Sequence, residues 1–194
     1  CGYGMSHKKF AETCAKYGIE VTPALAERAV AMYRKTFSKV PKFWYAMEDA
    51  ARKAILTSKP QTCGKITWKI DGEFLRMVLP SGRTLAFHKP QVNTESHITF
   101  MAQNPVTHKW EREETYGARM VENATQAVAR DIMVEAMFRL VRTYRILFTI
   151  HDELVLESKG GSVKDVLTHV RVVPPWATGC PINAECQQTE RYKK

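Results

Sequence analysis

The sequence contains no long apolar run and no recognisable targeting segment at its start. A helix that crosses a bilayer needs about 18 to 20 predominantly apolar residues, and no stretch of the chain approaches that length. The opening residues, CGYGMSHKKF, also lack the charged and then apolar pattern of a signal peptide. We therefore expect a globular, cytoplasmic protein that does not cross a membrane.

Cysteine and histidine are too scattered to suggest a zinc site. The cysteines form no CxxC pair and no Cys-His cluster with zinc-ligand spacing. A metal-dependent phosphohydrolase would need several histidine ligands at separated positions, and the histidines show no such spacing, which weakens that alternative. Reduced, unligated thiols are the simpler interpretation. The cysteines are Cys1, Cys14, Cys63, Cys180 and Cys186.

Acidic residues are the minority charge. Lys and Arg together number 29 against 20 Asp and Glu, which gives the chain a formal net charge of +9. This excess favours a polyanionic partner such as nucleic acid or a membrane surface, without choosing between them. A length of 194 residues with 44% hydrophobic content allows a buried core, in one domain or in two small lobes.

Helical patterns fill residues 1–61. The first pattern stops at Gly18, which suits a left-handed helix cap. Thr22 and Pro23 then supply an N-cap and a first-turn proline for a second helix, and Pro41 begins a third.

From Thr62 the pattern changes to short strands. KITWKI and EFLRMVL flank Asp71 and Gly72, a strong signal for a two-residue hairpin turn. We therefore interpret Asp71 as a turn residue rather than a catalytic acid. Further strand patterns follow in RTLAFH and TESHITFMAQ, and a polar connection leads to a long helix pattern.

Residues 147–158, LFTIHDELVLES, place three ionisable side chains between two apolar runs. The pattern predicts a short hairpin with His151, Asp152 and Glu153 at its bend. Successive side chains alternate along a strand, so adjacent acids project together only where the chain bends. A carboxylate held there suits Mg²⁺, which takes one or two carboxylates together with substrate phosphates. By themselves, the three residues are more typical of an ordinary polar turn.

A long helix is predicted over residues 121–144, directly before this hairpin. Polar residues on it and just ahead of it fall within about 100° of arc. Such a stripe is ordinarily a solvated face. Because the helix leads into the acidic hairpin, the stripe is also a candidate surface for hydrogen bonds to base edges and phosphates. Its members are Arg119, Glu122, Asn123, Gln126 and Arg130.

Several blocks of the chain, in order, resemble a family A DNA polymerase, the group that includes bacterial DNA polymerase I, and more closely its phage-encoded branch. The blocks are GYGMS, LPSGRTLAF, TYGARMVENATQAVARDI, HDELV and PPWATGCPINAE with the ending RYKK. Several blocks in the right order are more specific than any one of them. The resemblance implies an α+β fold in which residues 1–61 are the helical end of the fingers. Residues 62–194 are then a palm portion, whose antiparallel sheet carries the His-Asp-Glu bend and is backed by the long helix.

The resemblance also implies roles for single residues. Asp152 would be the palm carboxylate that binds both catalytic magnesium ions. Glu153 would be an adjacent acid that supports the metal site, and His151 would lie near the terminal phosphates of the primer. Gln126 matches a glutamine that contacts the minor groove near the primer end, and Tyr3 matches a fingers tyrosine beside the nascent base pair.

The chain departs from the family pattern at one point. The better-known enzymes have Asn four residues before the glutamine, whereas this chain has Glu122 there and Asn123 one position later. Which of the two contacts DNA stays open. Arg119 and Arg130, on the same stripe, are expected to contact DNA as well.

The implied reaction is template-directed DNA synthesis, in which a primer 3′-hydroxyl attacks the α-phosphate of a dNTP with the help of two Mg²⁺ ions. The implied partners are primer-template DNA and dNTP, with no membrane. This chemistry needs a second aspartate from an earlier palm motif, and none of the other aspartates, Asp49, Asp71, Asp131 and Asp165, lies in such a stretch. We therefore expect the C-terminal part of a polymerase that is inactive without its N-terminal part and works in the host cytoplasm if phage-encoded.

Two alternatives concern origin and function. Cys1 lies next to a polymerase motif, and cysteine is typical of the first residue after an intein, so the chain is a candidate product of intein splicing. A split gene would produce the same fragment. The competing functional class is a non-catalytic basic DNA-binding module, in which residues 151–153 form only a turn.

Overall fold

The computed structural model describes residues 1–192 and has a mixed α+β architecture with antiparallel sheets, which confirms the predicted fold class. The chain divides into two compact units, 1–125 and a second that begins at Gln126. The boundary predicted between residues 61 and 62 does not coincide with this division and lies close to the point where helices give way to strands. Its meaning as a division between fingers and palm stays a prediction. No helix among the described residues is both long enough and apolar enough to span a membrane.

The first unit opens with three helices at the predicted places. Gly18 ends the first with a φ of +71°, and the Ile19 N–H donates to the Cys14 carbonyl at 3.0 Å. The Thr22 hydroxyl accepts from the Leu25 N–H at 3.3 Å and caps the second. The helices are α1 (His7–Lys16), α2 (Pro23–Thr36) and α3 (Lys39–Thr57).

A six-stranded antiparallel sheet follows, in which each strand pairs with the next along the chain. Helix α3 lies against its first four strands. The sheet face that includes Trp68, Leu75 and Met77 is buried, as are Trp44 and Met47 of α3. The opposite face is open to solvent. The strands are β1 (Gln61–Cys63), β2 (Ile66–Asp71), β3 (Phe74–Val78), β4 (Thr84–Val92), β5 (Ile98–Gln103) and β6 (Trp110–Thr115).

The structure corrects the predicted strands in two places. Strands β1 and β6 were not predicted, because β1 has three residues and the sequence of β6, WEREET, has charged residues on both faces. The first hairpin turn consists of Gly72 and Glu73, one residue later than predicted, since Asp71 pairs with Phe74. Gly72 has a φ of +56°, and the Asp71 carboxylate accepts from Arg76 Nε at 3.2 Å.

The long helix, α4, runs from Gly117 to Leu140, four residues earlier at each end than predicted. Its start is anchored on α3, because the Gly117 N–H donates to Glu48 Oε2 at 2.9 Å. Arg52 Nη2 holds the other oxygen of the same carboxylate at 2.6 Å. A Cβ at residue 117 would lie 2.0 Å from the Trp44 carbonyl oxygen, so only glycine allows this approach. The start of α4 is therefore a tertiary feature.

The second unit contains the rest of α4 and the predicted hairpin, whose strands are β7 (Arg145–Ile150) and β8 (Glu153–Glu157). These two strands form a sheet of their own. The prediction that the bend belongs to the same sheet as the earlier hairpins is therefore wrong, because β7 and β8 pair with each other and with none of β1–β6. A short helix, α5 (Val163–Val170), was not predicted; the Ser162 hydroxyl caps it by accepting from the Asp165 N–H.

Tyr144, at the start of the hairpin, provides a test of this unit. Its side chain is buried, and its hydroxyl donates to Asp165 Oδ2 at 2.5 Å. The hydrogen bond, followed by burial and the negative charge of Asp165, raises the pKa of Tyr144 above its ordinary value of 10.0.

We expect the free energy of unfolding to fall as the pH rises above about 10. The phenol is then ionised in the unfolded chain but still protonated in the folded one. Urea denaturation of wild type and Tyr144→Phe between pH 8 and 11 measures this, and the variant should show a shallower decline. Tyr17→Phe, at an exposed tyrosine, should decline as wild type does. Equal slopes for all three proteins would contradict the assignment.

Candidate functional site

The β7–β8 hairpin presents Asp152 at its tip. Ile150 pairs with Glu153, so His151 and Asp152 alone form the turn. His151 has a φ of +52°, a left-handed conformation that the short turn requires. Both turn side chains are exposed. The predicted bend is confirmed in place, but Glu153 belongs to β8 and not to the turn.

Glu153 is engaged by the C-terminal segment of the chain. The Tyr192 hydroxyl donates to Glu153 Oε2 at 3.0 Å. The Tyr192 ring also meets Phe148 of β7 edge to face, with 5.6 Å between ring centroids. Burial and the Glu153 hydrogen bond together raise the pKa of Tyr192 above its ordinary value. Both acids are exposed, and they differ because Glu153 accepts a hydrogen bond from a phenol while Asp152 lies in the turn itself.

Helix α4 contributes a cation beside the hairpin. Arg130 Nη1 donates to Thr149 Oγ1 at 3.3 Å, two residues before His151. Gln126 lies one helical turn earlier on the same face of α4, and both side chains are exposed. The structure therefore brings this part of the predicted polar stripe to the strand that leads to Asp152.

The other stripe residues belong to the first unit. Arg119, Glu122 and Asn123 are half-buried, and Arg119 Nη1 donates to the Glu114 carbonyl oxygen at 3.3 Å. Glu122 lines an open cleft of about 450 Å³ together with Tyr3, whereas Asn123 does not. The cleft is formed by residues 1–6 with Lys9, Tyr116 and Glu122.

The loop that carries Tyr3 is fixed by close contacts with the helices of its unit. Trp44 Nε1 donates to the Gly2 carbonyl oxygen at 3.1 Å. Gly4 has a φ of +81°, and a Cβ there would lie 2.8 Å from Ala118 Cβ. Tyr3 itself remains 42% exposed. These contacts were not predicted from the sequence, nor was the hydrogen bond by which Glu48 of α3 holds the start of α4. The glycines of GYGMS and TYGAR were the available signal for such close approaches.

The described residues do not by themselves complete a metal site. Residues 1–192 contain no group of three or more histidine, cysteine or acidic side chains placed to bind an ion together. The other aspartates have different surroundings. Asp49 pairs with Lys53 at 2.7 Å, Asp71 bonds Arg76, Asp165 bonds Tyr144, and Asp131 is buried. Asp152 fits the role of one hard oxygen ligand, since Mg²⁺ in nucleotide sites takes only one or two carboxylates besides phosphate oxygens.

Comparison with known proteins finds a similarity to a phage enzyme. The chain is 34% identical over 176 residues to the DNA polymerase of Bacillus phage SP02. The match covers 85% of the chain and 27% of that protein, so the chain spans about a quarter of the length of this relative. No protein-family model matches the chain, and no solved structure matches it.

Proposed function

We propose that this chain is part of the polymerase domain of a phage-type family A DNA polymerase. It would contribute to template-directed transfer of a nucleotide from dNTP to a primer 3′-hydroxyl. The observation that carries the proposal is the 34% identity to the SP02 phage DNA polymerase over 85% of the chain. The ordered motif blocks support the assignment to family A, with residues 1–61 at the end of the fingers and 62–194 in the palm.

Asp152 is the proposed magnesium ligand, on the evidence of its exposed carboxylate at a tight strand turn. Glu153 is assigned the supporting role, because its carboxylate already accepts the Tyr192 hydrogen bond. When bound, the two Mg²⁺ ions would activate the attacking oxygen and stabilise charge on the phosphate oxygens. His151, beside Asp152, is placed near the terminal phosphates of the primer.

The polar stripe of α4 is the proposed DNA contact. Arg130 lies beside β7 and would neutralise a backbone phosphate, which carries no sequence information and suits an enzyme that copies any template. Gln126, one turn away, would reach the minor groove. Arg119, with Glu122 or Asn123, would extend this contact. Binding of this kind weakens as the salt concentration rises, because binding releases cations from the DNA and this release is less favourable when the solution already contains more salt.

The cleft beside Tyr3 is the proposed place for the nascent base pair. Its tyrosine is half-exposed and its loop is held by Trp44 and Ala118, so the ring can stack on a base without the loop having to order first. Glu122 lines the same cleft, which favours it over Asn123 as the residue near the primer end.

A second carboxylate ligand would come from a polypeptide segment outside this chain. The described residues hold no group of three potential ligands, and the chain corresponds to 27% of the SP02 protein. We therefore propose that the chain alone does not polymerise and needs the N-terminal part of the enzyme.

A chimera tests this proposal. This chain replaces the matched segment of the SP02 polymerase, and extension of a labelled primer on a template is measured with and without Mg²⁺. We expect Mg²⁺-dependent extension by the chimera and none by the chain alone. A folded chimera that binds primer-template but does not extend it would instead favour the non-catalytic basic DNA-binding module.

A further inference from the structure

The six-stranded sheet has an open face that the proposed function does not use. Helix α3 lies against β1–β4, and most residues of the other sheet face are half-buried or exposed. Because directly paired residues share a face, the register defines one row across five strands of this open face. The row consists of Asp71, Phe74, His88, Met101 and Arg112.

Aromatic rings form a continuous line on the open face. The rings of Phe74 and His88 are 5.0 Å apart between centroids, and those of His88 and Trp110 are 6.0 Å apart. Trp110 is 60% exposed, whereas Trp44 and Trp68 are buried. Phe74 and His88 are half-buried, so Trp110 is the ring of this line that is open to a partner.

Cations accompany the rings. Arg76 stacks on Phe74, with its guanidinium carbon 4.6 Å from the ring centroid. Lys69 of β2 lies directly opposite Arg76 of β3 in the strand register, and its side chain is exposed. The acids near the face have partners there: Asp71 bonds Arg76, and Glu114 lies 3.2 Å from His97 Nδ1. Glu73 lies 3.5 Å from Lys89 Nζ and 3.6 Å from His88 Nε2.

Charge also differs between the two ends of the sheet. In an antiparallel meander, the β1–β2, β3–β4 and β5–β6 loops leave at one end, and the other two loops leave at the opposite end. The first set carries Lys65, Arg83 and Lys109, whereas the second carries Glu73 and Glu95. Trp110 directly follows Lys109 at the basic end, whereas Phe74 directly follows Glu73 at the acidic end, so the Trp110 end of the line is the basic one.

We propose that the Trp110 end of this open face binds single-stranded DNA, with a base stacked on the exposed Trp110 ring and the phosphates along nearby cations such as Lys109 and Arg112. Flat rings accept any base, and neighbouring cations hold the backbone, which is how proteins bind single strands without sequence preference. Duplex DNA does not suit the face, because its bases are already stacked inside the helix. That the strand is DNA rather than RNA rests on the proposed function.

Other occupants fit the face less well. A second copy of this chain would bring like charges together, and a bilayer would need protruding apolar side chains in place of Lys69, Arg76 and Arg112. An acidic peptide would satisfy the cations but leave the aromatic line uncovered.

The test uses the full chain without primer, dNTP or Mg²⁺. Fluorescence anisotropy of a labelled oligo-dT of about 12 nucleotides measures its affinity, and a blunt duplex of equal length is the competitor. We expect the single strand to quench tryptophan fluorescence and to remain partly bound when duplex is in excess, because duplex would occupy only the proposed α4 surface. Trp110→Ala should weaken single-strand binding at least about fivefold, while Tyr45→Ala, at an exposed tyrosine of α3, should bind as wild type does.

A second variant keeps the test independent of any local unfolding at Trp110. Lys69→Gln should lower the slope of log affinity against log salt by about 0.7. Wild-type single-strand affinity in both Trp110→Ala and Lys69→Gln, or an equal loss of duplex binding in Trp110→Ala, would overturn the proposal. This binding test involves no catalysis, so it can fail or succeed independently of the extension test. If the chimera does not extend primers while single-strand binding still depends on Trp110, only the proposed polymerase function is contradicted.

Discussion

Asp152→Asn is expected to lower Mg²⁺-dependent primer extension by the chimera at least about 100-fold. Asparagine keeps the size of the side chain and its place in the two-residue turn but removes the charge that a hard cation requires. Asn is also well accepted in tight turns, so the hairpin should fold unchanged. Initial extension rates at saturating Mg²⁺, with circular dichroism to verify folding, measure the effect.

Two matched variants make this result specific. Asp49→Asn makes the same chemical change at an exposed acid of α3 whose surface ion pair with Lys53 contributes little to stability, and its extension rate should equal that of wild type. Glu153→Gln, whose side chain is held by Tyr192, should reduce extension by less than Asp152→Asn does. A chimera with Asp152→Asn that extends primers at the wild-type rate would remove Asp152 from the mechanism.

The largest effect on stability is expected for Gly117→Ala, with a loss of about 3 kcal/mol or more in the free energy of unfolding. The new Cβ would stand 2.0 Å from the Trp44 carbonyl oxygen and 2.6 Å from its carbon, so α3 and the start of α4 must separate. That movement also breaks the hydrogen bond from the Gly117 N–H to Glu48. In an ordinary exposed helix, the same substitution would stabilise by about 1 kcal/mol, so the sign of the change identifies the contact.

Gly2→Ala is the matched control, because its Cβ would meet only the Tyr33 hydroxyl at 3.4 Å. Urea denaturation of both variants, with the slope of free energy against denaturant compared between them, measures the difference. We expect Gly2→Ala to unfold within about 0.5 kcal/mol of wild type. A Gly117→Ala variant as stable as wild type would show that α3 and α4 do not approach as closely as described.

Local sequence signals located the elements that depend on neighbouring residues only. Gly18 and the Thr22–Pro23 pair set the ends of α1 and α2, because caps act within one helical turn. The His151–Asp152 turn followed from two apolar runs with a short polar interval. The site residues were selected in the same way, and the structure holds Arg130 beside the strand that leads to Asp152; their roles in catalysis and DNA binding stay predictions.

Features that depend on distant residues were not predicted. The start of α4 is fixed by Glu48, which is 69 residues away in the chain, and β6 is a strand because its backbone pairs with β5 and not because of its side chains. The aromatic line joins Phe74, His88 and Trp110 only through the register of the sheet. The amino-acid sequence by itself determined the helix caps, the place of the tight turns to within one residue and the acid at residue 152, since these are short-range preferences. Tertiary packing decided where α4 begins, that β7 and β8 pair in a sheet of their own, and which side chains meet, since those contacts exist only once remote segments are brought together.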